Sequence, residues 1–315
     1  MMYKKILVTG GTGLLGSAIK AISSEYPQSE FVFFGSKDCN LTKLDETLEF
    51  VGKHKPDAII HTAALAGGVQ YSTKYPAKLL RDNILLNFNV LEVARFHSVK
   101  KTIMTLSTGM YPVNVPNPIK EEYIHDGPPH ESNYGYSFAK RLIDPSIKAY
   151  RTEYKMNVIG LVSNGIFGEN GNFKTEESVM VAALIRRFYE NRNSNEEIVI
   201  WGDGSPLREY TYSNDMARAF MWCLDHYDDA QILHVGSTEE HSVKETAYMI
   251  AEIMDIDPNR IVFDASKPAG ILKKSTDNSR FVKLSGFQYT PFRLGLEHTI
   301  KWFYENYDKP GHIRL

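Results

Sequence analysis

Tyr136 and Lys140 stand four residues apart in "NYGYSFAKR", a spacing that puts both on one face of a helix. A lysine ammonium beside a phenol favours the phenolate, drawing its pKa down from about 10 towards neutrality. Such a tyrosine can give a proton to a sugar oxygen or take one from it. Ser107 closes the apolar run "KTIMTLS", which reads as a strand. A hydroxyl at a strand's carboxyl end could hydrogen-bond the same oxygen, because ligands of open α/β sheets bind there. A Tyr-x-x-x-Lys pair is also common on plain helix surfaces, so its chemistry depends on Ser107 converging with it. Tyr134 competes as the phenol, but the residue four places on is Phe138 rather than a lysine.

A second group can hold a ligand. Gly10, Gly13 and Gly16 in "VTGGTGLLGSAI" follow a strand and open a helix. There the backbone can approach a pyrophosphate and the helix N-terminus can receive it. The end of the next strand sets cofactor choice, an acidic residue favouring NAD through the ribose 2′-hydroxyl. This chain has Gly35, Ser36 and Lys37 there, with Asp38 one place later. A hydroxyl and an ammonium suit a 2′-phosphate, so NADP(H) is expected, with Asp38 free to accept from the adenine amine. An ordinary solvated turn is the competing reading of Lys37. His125 and His130 flank "DGPP" without metal-ligand spacing, and no metal site is expected.

The elements that must position these groups alternate. "KILVTG", "FVFF", "DAIIHTAA", "KTIMTLS" and "NVIGLV" read as strands, and "LLGSAIKAI", "LDETLEFVGKH" and "NILLNFNVLEVARFH" as helices, with a further helix over about 134–154. Continuous apolar strands separated by helices predict an α/β fold, a doubly wound parallel sheet of the Rossmann kind. The reading assigns 1–165 to a dinucleotide-binding domain, with 209–236 returning to it. Residues 166–208 and 237–315 fall mainly in a smaller C-terminal substrate lobe. The 315 residues carry a formal charge of −2, 43% hydrophobic and 23% charged residues. That balance gives no electrostatic handle for nucleic acid or acidic membranes. Two cysteines are too few for a disulfide framework, and no run nears the roughly 18 apolar residues of a membrane span. A cytoplasmic protein is expected.

Together these residues resemble an extended short-chain dehydrogenase/reductase. Across 5–310 the chain is similar to the GDP-L-fucose synthases, through "SKDCNLT", "HTAALAGGV", "STGMYP", "NYGYSFAKR" and "VIWGDGSPLREY". The resemblance implies homodimerisation and NADP(H) held by Gly10, Thr12, Gly13, Leu14, Leu15, Gly16, Ser36, Lys37, Asp38, Leu41, Ala63, Ala64, Leu65, Tyr136, Lys140, Ser163 and Asn164. It implies catalysis by Ser107, Tyr136 and Lys140. Substrate contacts are implied at Ser107, Thr108, Gly109 and Val179, with Arg187 at the diphosphate, Trp201 and Arg208 lining the sugar-nucleotide pocket, and Lys274 on the guanine side. Arginine forks suit pyrophosphate, while core packing is the competing role for Trp201.

The family's bifunctional members also invert C3 and C5 of the sugar. The resemblance places their acid/base cysteine and histidine at positions that here are Gly109 and Val179. Neither has a titratable proton, and Lys174, Glu176 and Glu177 lie several residues away. "SNGIFG" at 163–168 also departs from the family pattern. The expectation is a C4 reductase of a GDP-4-keto-sugar that works after a separate epimerase. By resemblance, a GDP-4-keto-heptose or 6-deoxy-heptose for bacterial capsule or lipopolysaccharide is the best fit. A bifunctional GDP-L-fucose synthase and a non-catalytic NADP-binding regulator are the alternatives.

Overall fold

The computed structural model describes residues 3–174, 178–267 and 272–315; Glu176 and Glu177 lie outside them. The first half supplies strands β1 (Lys5–Thr9), β2 (Glu30–Phe34), β3 (Ala58–His61), β4 (Lys101–Ser107) and β5 (Val158–Ser163). Its helices are α1 (Leu14–Ile22), α2 (Leu44–His54), α3 (Val69–Lys74), α4 (Pro76–Phe96), α5 (Tyr134–Arg141) and α6 (Ile143–Tyr154). The second half adds β6 (Gly165–Phe167), α7 (Met180–Glu190), β7 (Ile198–Trp201), β8 (Leu207–Tyr212), α8 (Ser213–His226) and β9 (Leu233–His234). It ends with β10 (Glu240–Ser242), α9 (Val243–Ile253), β11 (Ile261–Asp264), α10 (Ser279–Ser285) and α11 (Phe292–Asn306).

A six-stranded sheet runs β2-β1-β3-β4-β5-β9 with every pairing parallel. Its central strands are largely apolar and mostly buried because both faces are covered, and their alternation sorts side chains between two cores. Ile6, Val8, Ile60 and Ile103 pack on the side of α1 and α8. Leu7, Ile59, Met104 and Leu106 pack on the side of α4 and α6. The chain leaves β1 for β2 and then crosses to β3, which opens a crevice at the carboxyl ends of β1 and β3.

A third core, including Phe167, Ile185, Ile200, Phe292 and Phe303, lies among α7, α9, α11 and the small sheets β10-β8-β6 and β11-β7. Phe281 of α10 instead joins the core beside α8, so the segment after 237 is divided between the two packing units. The helix expected over 134–154 is two helices. Pro145 cannot donate to Arg141, and its ring crowds that carbonyl. Leu142 therefore ends α5 by bonding Phe138 O at 3.0 Å, and Ser146 resumes the ladder on Leu142 O at 3.2 Å. Strands β7 and β8, separated by a short turn, lie in different sheets.

Candidate active site

Gly10 sits at φ +64°, a conformation only glycine adopts without strain. A Cβ there would lie 2.8 Å from Ala63 N, and one on Gly16 would lie 2.3 Å from Gly10 O. Glycine at both positions lets α1 close onto the β1–β3 crevice. No side chain caps α1 and its first turn has no acidic residue, so its leading amides are available to an anion.

Two cavities flank this turn. An outer one of about 810 Å³ is lined in part by Thr12, Ser36, Lys37 and Asp38. An inner one of about 280 Å³ is lined in part by Leu14, Ala64 and Val179. A backbone cradle too tight for any Cβ, with an ammonium and hydroxyls on its outer side, fits a phosphorylated dinucleotide. Ser36 and Lys37 are exposed yet face the outer cavity. Asp38 accepts from Gly35 N at 2.9 Å and so shapes the turn itself.

The side chains of three expected cofactor contacts are engaged within the protein. Leu41 is buried in the core beside α4, because the loop after β2 tucks it under that helix. Ser163 is buried and donates to Leu106 O at 3.2 Å. The Asn164 amide is committed to Ser237 O at 2.7 Å and accepts from Thr211 Oγ1 at 2.7 Å. The last two side chains knit β5 to its neighbours. Ala63 N donates to Thr9 Oγ1 at 3.0 Å, and Asn83 clamps Leu65 by both its N–H and its carbonyl.

Ser107, Tyr136 and Lys140 do converge. Ser107 is the last residue of β4; its hydroxyl accepts from Gly109 N at 3.2 Å and neighbours the Tyr136 phenol, whose pKa it lowers against the larger effect of burial. Ser137 donates to Gly109 O at 2.9 Å, fastening α5 to the turn after β4. One helical turn beyond Tyr136, Lys140 Nζ donates to Thr105 O at 2.7 Å.

The expected drop in the phenol pKa is not found. Burial pushes Tyr136 up to about 12, only partly offset by the Ser107 hydrogen bond, because Lys140 is turned onto the strand. Burial also pushes Lys140 down to about 8. Burial, then the Lys140 charge, holds His61 down to about 3, neutral between Thr9 and Asn87. At neutral pH Tyr136 thus keeps the proton an acid needs. Lys140 is protonated below about 8 and loses its charge above it. If that ammonium binds the dinucleotide, kcat/KM for the dinucleotide is expected to fall on the alkaline side with a midpoint near 8. A profile flat to pH 9.5 would remove Lys140 from that role.

The substrate-side positions are more dispersed. Thr108 and Gly109 form the turn after Ser107. A Cβ on Gly109 would sit 3.4 Å from Ser107 Oγ and 3.6 Å from Asn133 Nδ2, ordinary contacts. Val179 precedes α7 with 56% of its surface exposed. Trp201, also 56% exposed at the end of β7, is not a core residue and can meet a ligand. Arg187 donates to Val199 O at 2.5 Å on the neighbouring strand. Burial, then the Arg208 charge, pushes Lys274 down to about 8. None of Arg187, Trp201, Arg208 and Lys274 lines either cavity at the glycine turn. Local pattern missed His312, Arg314 and Asn170, which line the outer cavity; only the chain's return after α11 brings the first two there. Among the described residues there is no cluster of metal-ligating side chains, and no helix is long and apolar enough to cross a membrane.

A glycine turn at the switch point of a parallel sheet, with a serine at a strand end beside a tyrosine and a lysine one helical turn apart, defines a nicotinamide-dependent enzyme of the short-chain dehydrogenase/reductase class. The chain belongs to the NAD dependent epimerase/dehydratase family, whose model matches residues 6–236. It is 36% identical over 310 residues to a GDP-L-fucose synthase of Dictyostelium discoideum, covering 97% of each chain. The structure of a GDP-L-fucose synthetase from Naegleria fowleri bound to NADP superposes with a TM-score of 0.92 at 33% identity, covering 99% of this chain and 96% of that one. A GDP-mannoheptose C4 reductase from Campylobacter jejuni shares the fold, with a TM-score of 0.86 at 24% identity over 96% of this chain and 99% of that one.

Proposed function

We propose that this chain reduces the C4 ketone of a GDP-4-keto-sugar with NADPH and leaves C3 and C5 as supplied. The reduced dinucleotide supplies the hydride. Tyr136, protonated at neutral pH, gives its proton to the C4 oxygen, while Ser107 donates to that oxygen and polarises the carbonyl. Lys140 holds the ribose. Arg187 takes the diphosphate of the substrate, Trp201 and Arg208 line its sugar-nucleotide pocket, and Lys274 meets the guanine side. The observation that carries the reading is the convergence of Ser107 and Tyr136 beside Gly109, where a would-be Cβ lies 3.4 Å from the Ser107 hydroxyl and the residue offers only a hydrogen atom. Any inversion at C3 or C5 then falls to a separate epimerase acting first.

The sugar to test first is a GDP-4-keto-heptose or its 6-deoxy form. NADPH oxidation is measured with that ketone and with GDP-4-keto-6-deoxymannose, each with and without a C3/C5 epimerase, and the products' configurations are assigned. Turnover with no GDP-4-keto-sugar would overturn the proposal and leave a non-catalytic binding protein. Bifunctional fucose synthesis is the second reading, favoured by the 36% identity to the Dictyostelium synthase across 97% of this chain. Formation of GDP-L-fucose by this chain alone would establish it.

Cofactor preference is separately testable. Lys37→Ala is expected to narrow the preference for NADPH over NADH by about 10- to 150-fold, the worth of a charge-assisted hydrogen bond. Equal efficiency with both cofactors in the unaltered chain would refute the 2′-phosphate assignment.

A further inference from the structure

The segment after α11 belongs to no element of either packing unit, yet it ends beside the glycine turn. The chain turns back at Gly311, φ +77°. Ile313 is buried in the lobe core with Phe173 and Ile185. Arg314 O then accepts from Phe173 N at 2.9 Å, and Arg314 Nη2 donates to Asn170 O at 2.5 Å. The segment is therefore fastened to the lobe, while Arg314 and its neighbours face the dinucleotide-binding domain.

Arg314 lines both cavities at the turn: the outer one with Thr12 and Lys37, and the inner one with Leu14 and Ala64. His312 lines the outer cavity alone. A dinucleotide running from the Ser36–Lys37 side to the β4 end of the sheet must pass its pyrophosphate across the start of α1, between these cavities. Lys20, Lys37 and Arg314 oppose Asp38, the single carboxylate among the outer cavity's described lining residues, and Asp38 is bonded to Gly35 N.

We propose that Arg314, carried on the lobe, binds the cofactor's pyrophosphate from the side opposite the α1 N-terminus and so ties the lobe to the dinucleotide. This rests on the cofactor reading above and adds a residue to it. A guanidinium suits the task because its fork can bond two phosphate oxygens while staying charged. The pyrophosphate is common to NADPH and NADH, so Arg314 contributes affinity without choosing between them. Lys37, at the 2′-phosphate, does the choosing.

The test is direct binding to the apoprotein, by calorimetry or nucleotide fluorescence, with NADPH, NADH and 2′-AMP. Arg314→Gln is expected to weaken NADPH and NADH by the same factor, roughly 10- to 100-fold. It should leave 2′-AMP binding unchanged and the NADPH/NADH ratio intact. Arg314→Lys keeps the charge without the fork and should recover part of the loss, which also separates binding from the Asn170 contact that both variants disturb. Lys37→Ala should do the reverse, lowering the ratio and weakening 2′-AMP. Unchanged affinity for both dinucleotides in Arg314→Gln would overturn the inference, as would a loss confined to NADPH. If the unaltered protein bound neither dinucleotide, the cofactor reading itself would fail, an outcome distinct from both.

Discussion

Tyr136→Phe is expected to lose roughly 10²–10⁴-fold in turnover, the usual worth of a positioned acid, while binding NADPH as tightly as the unaltered chain. The substitution removes one oxygen and keeps the ring on α5. The groups that hold α5 in place are elsewhere: Ser137 on Gly109 O, and Arg141 on Met110 O at 3.0 Å and on Gly127 O at 2.7 Å. What is lost is the transferable proton and the partner of the Ser107 hydroxyl. Single-turnover reduction, with NADPH binding measured in parallel, separates the two effects. Reduction of the ketone at near-normal rate by the Tyr136→Phe variant would exclude Tyr136 as the acid. Ser107→Ala should cost less, since it removes one donor to the oxygen and leaves the proton source.

Burial keeps the phenol protonated across the neutral range, and the same group that gives a proton in reduction takes it back in the reverse oxidation. The i, i+4 spacing of Tyr136 and Lys140 is legible in the sequence, but not which way Lys140 points. Its bond to Thr105 O depends on how α5 lies across β4, and that packing is set by tertiary contacts.

The same division runs through the rest of the molecule. The glycine turn and the five leading strands can be read from the chain because each is specified within ten residues, by apolar runs or by glycines that no Cβ could replace. The Pro145 break is written in the sequence too, as a missing N–H inside a helical pattern. Trp201 cannot be assigned that way, since an indole at the end of a strand is equally at home in a core. Its exposure decides the matter. For Leu41, Ser163 and Asn164 the resemblance does not fix where a side chain turns, and all three side chains are engaged within the protein. Arg314 carries no local signal, because a chain of contacts through Ile313 and Phe173 brings it back across the fold.

Reduction without epimerisation is the expectation that separates the two readings of this chain most sharply. Hydrogens on C3 and C5 are acidified by the neighbouring ketone, but they leave at a useful rate only when a base is held against them. Such a base is typically worth about 10²–10⁴-fold. Gly109 lies beside Ser107, with a would-be Cβ 3.4 Å from its hydroxyl, so a side chain there would stand next to the reacting carbonyl. Glycine offers none, and the isopropyl group of Val179 cannot accept a proton. The protein, NADP⁺ and a GDP-4-keto-sugar are incubated in D₂O without a hydride source, and the recovered ketone is examined for deuterium at C3 and C5. Exchange close to the protein-free control is expected. Gly109→Cys then supplies the contrast: its Cβ meets only ordinary contacts of 3.4–3.9 Å, so the turn can accept it, and it should raise exchange at one of the two carbons. Rapid exchange by the unaltered protein would mean that another group acts as the base, and bifunctional fucose synthesis would replace simple reduction as the reading of this site.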